Sequence, residues 1–74
     1  MKTSLRKEVF LQVADKYQQM LVSNLQEQGF IRLAMAIVGA DESNHLAKQL
    51  DVLKKDEKLF RKMVKGAREA AEML

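Results

Sequence analysis

Residues 30–38 read FIRLAMAIV, a run in which Arg32 alone is polar, with Gly29 before it and Gly39 after it. A segment apolar on every side needs cover on every side. Crossing a hydrocarbon core takes about 20 apolar residues, so the run is too short to span a membrane. It is expected to form a short central helix enclosed by the two longer segments that flank it. A strand is the competing assignment, since Phe30, Ile31, Ile37 and Val38 favour one. The Leu-Ala-Met-Ala middle does not, and the chain offers no second strand to pair with it.

Working outward, the chain has no Pro, three Gly and 74 residues rich in Leu, Ala, Met, Lys, Glu and Gln. These are helix formers, and the fold class read from them is all-α. Helix one is expected over about 4–28, with Thr3 or Ser4 as its cap and Gly29 as its stop. Its apolar positions, among them Leu5, Val9, Phe10, Val13, Ala14, Tyr17, Met20, Leu21 and Leu25, recur at steps of three and four. Helix two is the run at 30–38. Helix three is expected over about 42–73, capped by Asp41, with Glu42 in a first turn where negative charge suits the helix dipole.

Helix three carries the most regular pattern. Leu46, Leu50, Leu53, Glu57, Phe60, Val64, Ala67, Ala71 and Leu74 follow at steps of four and three without a slip, and Glu57 is the one polar member. That is a coiled-coil seam. Val52, Leu59, Met63, Ala70 and Met73 widen the apolar side, so the helix is expected to be gripped from two directions. About 33 residues at 1.5 Å each make a rod of roughly 50 Å, whereas a compact chain of this length has a radius of gyration near 11 Å. Either the helix breaks at Gly66 or it extends onto another chain, and the small residues Gly66, Ala67, Ala70 and Ala71 favour the second. The architecture expected is a small helical bundle or hairpin over residues 1–74, a single domain completed by dimerisation.

A chain this short buries only about 60% of its unfolded surface, so outside support is worth seeking. It has no Cys, which excludes disulfides and thiolate metal sites and fits a reducing cytoplasm. The opening MKTSLRKEVF has no unbroken apolar core, so no signal peptide is expected. A cytoplasmic homo-oligomer, dimer or higher, follows. Phe10, Tyr17 and Leu21, facing Leu46, Leu50, Leu53, Phe60 and Val64, are its expected protein interface.

The net charge of +3 is unevenly spread. Residues 54–68 hold seven Lys or Arg against Asp56 and Glu57, a local +5 that leaves −2 for the rest. Lys54, Lys55, Lys58, Arg61, Lys62, Lys65 and Arg68 are therefore candidate nucleic-acid contacts, able to follow a phosphate backbone with salt-dependent affinity. A solvated face that confers solubility is the plainer reading of the same stripe. No aromatic residue interleaves these positions, so stacking on single strands has no support.

Three further candidates weaken on inspection. The stretch RLAMAIVGADESNHLAKQL has the outline of a helix-turn-helix, but Met35 stands where a small residue belongs, and Asp41 and Glu42 would repel phosphates. Glu42 and His45 have Glu-x-x-His spacing, yet one His per chain and no inward carboxylate on helix one leave a di-metal site short of ligands. No nucleophile pairs with that His, and glycine-rich phosphate loops are absent, so neither metal, cofactor nor enzymatic activity is expected. Asn24, Arg32 and Glu57 are polar where the pattern wants apolar residues. Arg32 and Glu57 are read as a pair that sets register at a cost in stability.

The function expected is that of a non-enzymatic regulatory or adaptor protein acting through helix-mediated protein–protein association. Nucleic-acid binding through the basic face is the alternative. A basic helix lying on an anionic membrane is a third reading, disfavoured because the other segments claim its apolar side.

Overall fold

The computed structural model describes residues 2–74, and its chain is a hairpin of two helices. α1 spans Lys2–Ile37 and α2 spans Ala40–Glu72, joined through Val38 and Gly39. The hairpin measures 58 × 14 × 11 Å, with a radius of gyration of 16.9 Å. All-α is therefore right, while three helices become two. The long C-terminal helix passes through Gly66 without a break.

Gly29 is where the expectation fails. Helix one was expected to stop there and a separate helix to begin at Phe30, but α1 continues through both, and no glycine among the described residues has a positive φ. A mid-helix glycine costs only about 0.5–1 kcal/mol relative to Ala, less than tertiary packing along the rest of the helix returns. A Cβ built on Gly29 meets nothing within 4 Å. Gly29→Ala should accordingly stabilise the protein by about 0.5–1 kcal/mol, mainly by restricting the unfolded chain. Thermal unfolding would register this as a midpoint a few degrees higher. A lower midpoint would mean that Gly29 does end a helix.

The ends also differ from the reading. α1 already runs at Lys2, ahead of the expected caps Thr3 and Ser4, whose side chains lie outside the described residues. α2 is capped at Gly39, with φ −72° and ψ 172°, and not by Asp41. Asp41 and Glu42 both sit in its first turn, where they face the positive end of the dipole. The turn is closed by Ser43 N–H donating to the Gly39 carbonyl at 3.0 Å, and the last turn by Met73 N–H donating to Glu69 at 3.2 Å.

The helices meet along one row each. On α1 the row is Phe10, Ala14, Tyr17, Leu21, Asn24, Gln28, Ile31 and Met35, continued by Val38 in the connection, all buried or partly buried. On α2 it is the heptad row read from the sequence, buried or partly buried from Leu46 to Ala71, with Leu74 exposed at its end. Tyr17 packs on Phe60 with ring centroids 6.1 Å apart, and Asn24 reaches Leu53. Position 17 is thus level with 60, and 24 with 53.

FIRLAMAIV is not enclosed. Ile31 is buried, but Phe30 is 72%, Leu33 61% and Ile37 76% exposed. With a single neighbouring helix, α1 can bury one stripe only, and the rest of an all-round apolar run faces outward. Among the described residues no helix is long and apolar enough to cross a membrane.

Candidate association surface

A polar layer crosses the middle of the seam. Asn24 and Gln28 are its buried members, and Gln28 is the largest fully buried side chain among the described residues. Asn24 Nδ2 donates to the Leu53 carbonyl at 2.9 Å. Gln28 Nε2 donates to Asn24 Oδ1 at 2.6 Å and to Glu57 Oε1 at 2.8 Å, while Gln28 Oε1 accepts from the Arg32 guanidinium at 3.1 Å. Glu57 Oε2 accepts from Arg61 Nε at 2.8 Å. Among the described residues no buried side-chain nitrogen or oxygen lacks a partner. This is the condition under which a buried polar network is tolerated.

The expected Arg32–Glu57 pair is thereby replaced by a relay. Gln28 stands between the two, and the direct ionic partner of Glu57 is Arg61, one turn along α2. The hydrogen bonds from Gln28 and then Arg61 hold the Glu57 carboxyl below the ordinary carboxylate range. Partial burial opposes this shift, and the Arg61 and Arg32 charges assist it. In sequence Gln28 reads as a polar residue of the last turn before a glycine stop, which gives no sign of its burial. The four-residue spacing of Asn24, Gln28 and Arg32 was the available signal.

The residues expected to form an interface between chains fill the seam within one chain. Phe10, Tyr17, Leu21, Leu46, Leu50, Leu53, Phe60 and Val64 are all buried or partly buried in the hairpin. What is left outside is a different surface. Val9, Phe10 and Val13 of α1 and Leu59, Met63, Gly66 and Ala67 of α2 line an apolar groove of about 560 Å³, and Lys62 is the one charged residue on it. It adjoins a second apolar hollow formed by Leu5, Val9, Phe10 and Leu74, beside Arg6. Farther along the hairpin lies a polar trough bordered by Lys16, Ser23, Glu27 and Asp56.

The basic residues run along the back and far flank of α2, with Lys62 also bordering the groove. Lys54, Lys55, Lys58, Arg61, Lys62, Lys65 and Arg68 are all exposed. Arg61, Lys65 and Arg68 border a hollow with Gln18, and Glu69 and Glu72 lie beside them. The stripe is thus interrupted by acids at its C-terminal end. Glu42 and His45 are exposed, and the His45 ring lies 3.3 Å from Gln49 Nε2. No group of three metal-ligating side chains occurs among the described residues. No family model matches the chain, and neither a curated protein nor a solved structure matches it.

Proposed function

We propose that this chain is a cytoplasmic, non-enzymatic regulatory or adaptor protein that works by helix-mediated association, through the apolar side of the hairpin and not through its internal seam. The observation carrying this reading is the balance of apolar side chains. Among the described residues, six hydrophobic ones form the buried core, while fourteen large ones remain exposed. Scattered exposed apolar residues are ordinary, but a contiguous apolar groove, to which Val9, Leu59 and Met63 of these belong, marks an interaction surface.

Nucleic-acid binding is kept as a second reading by one observation, the seven exposed cations of residues 54–68. One experiment separates the two. A photoreactive benzoylphenylalanine placed at Leu59, in the groove, should give a discrete protein adduct in cells, and the same group at Lys58, on the opposite flank of α2, should give none. Adducts to nucleic acid from position 58, with none to protein from position 59, would replace the first reading by the second.

A further inference from the structure

Resting on helix-mediated association as read above, we propose that the occupant of the groove is a second copy of this chain. The copy lies antiparallel along the same side of the hairpin, so that Phe30 of each copy fills the groove beside Gly66 of the other.

Area is the first support. The chain exposes 5879 Å², whereas a compact folded chain of 8.5 kDa exposes about 4,700 Å². The surplus of roughly 1,200 Å² per chain exceeds the ~800 Å² that each partner contributes to a standard interface and reaches the obligate range. A second hairpin laid alongside converts a section of 14 × 11 Å into that of a four-helix bundle.

The sequence register supplies the second support. Phe30 and Ile37 stand three and four heptads after Val9, so they share the groove's edge of α1. Leu59 and Gly66 stand one and two heptads after Val52 on α2. Levels along the rod follow from Tyr17 lying beside Phe60 and Asn24 beside Leu53, which puts Gly66 level with position 11 of α1. A two-fold axis through the middle of the rod, near position 20, carries Phe30 to level 10. The large exposed ring then meets the position where a Cβ would find nothing within 4 Å.

Charge fixes the direction. The same axis brings Lys16 of one copy within about 5 Å, along the rod, of Asp56 and Glu27 of the other, counting 1.5 Å per residue. A parallel pairing would instead set Lys16 against Lys16, the acids against the acids and Phe30 against Phe30. Like charges placed opposite one another disfavour that arrangement.

Sedimentation equilibrium of the purified chain should give twice 8.5 kDa, and Phe30→Glu should give the single mass with helicity retained. Cysteines test the direction, since the chain has none of its own. Within one chain, positions 30 and 66 are separated by about 28 Å along the rod, beyond any disulfide. Oxidation of the double variant Phe30→Cys, Gly66→Cys should therefore yield a covalent dimer, and neither single variant should. This crosslink decides the matter if Phe30→Glu costs helicity. A single mass at about 100 μM, where a micromolar dimer is largely formed, or a covalent dimer from either single variant, overturns the proposal. A monomer that still gives a Leu59 adduct with a different protein refutes self-pairing alone. A monomer with no adduct removes helix-mediated association as well.

Discussion

Gln28→Ala should lower the thermal midpoint by about 10–30 °C. The side chain is 1% exposed and joins Asn24, Arg32 and Glu57. Its loss leaves Asn24 Oδ1 and Glu57 Oε1 each short of a donor inside the hairpin and opens a cavity. One buried group deprived of its partner costs about 1–3 kcal/mol, and the missing side-chain atoms add to that. A total of about 2–4 kcal/mol, at about 4–8 °C per kcal/mol for a domain of this size, gives the stated drop. Circular dichroism at one fixed protein concentration measures it, because binding to a second copy would raise the midpoint by mass action. Gln26→Ala, at an exposed amide two residues away on another face of α1, should change stability by less than about 0.5 kcal/mol. Equal midpoints for the two variants would show that the polar layer contributes nothing to the fold.

Such a layer weakens the seam relative to leucine, and it ties the two helices to one alignment. Asn24 meets a backbone carbonyl, which every turn of α2 offers, but Gln28 meets Glu57, so sliding one helix by a turn would part Gln28 from that carboxylate. Replacing Asn24, Gln28 and Glu57 together by Leu removes that penalty along with the polar groups.

How much of this was legible follows from what a heptad row encodes. The row from Leu46 to Leu74 was readable in full, because apolar residues at steps of four and three identify a packed helical face. Nothing in such a row says whether the partner helix belongs to the same chain, so residues that close the hairpin were assigned to an interface between chains. On α1 the row was readable from Phe10 to Leu21. It reached Asn24, polar where the pattern wants an apolar residue, was lost at Gln28, and was lost again at Gly29, whose preference against helix is small beside tertiary packing. Had the row been carried through Gly29, Ile31, Met35 and Val38 would have continued it. The outward face was obscured for a related reason. Apolar residues in α1 are spread around the helix, whereas those of α2 are concentrated on one side, so α1 alone did not indicate which stripe its single neighbour would take.

Two leucines on α1 convert that ambiguity into a measurement. Leu21 is 5% exposed and Leu33 is 61% exposed. Leu21→Ala should cost about 2–4 kcal/mol, as deletion of a buried leucine does, while Leu33→Ala should stay within about 0.5 kcal/mol. A domain of this length has only about 4–11 kcal/mol of stability in total, so the first substitution removes a large share of it. Urea denaturation should show a much lower midpoint for Leu21→Ala, with little change in slope, because both variants expose nearly the same surface on unfolding. The enclosed central helix expected from FIRLAMAIV would make Leu33 as sensitive as Leu21. Equal losses in the two variants would restore that enclosure and leave α1 without a free apolar face. A loss confined to Leu21 would fix the stripe that α1 turns toward α2 and leave Phe30, Leu33 and Ile37 available to another surface.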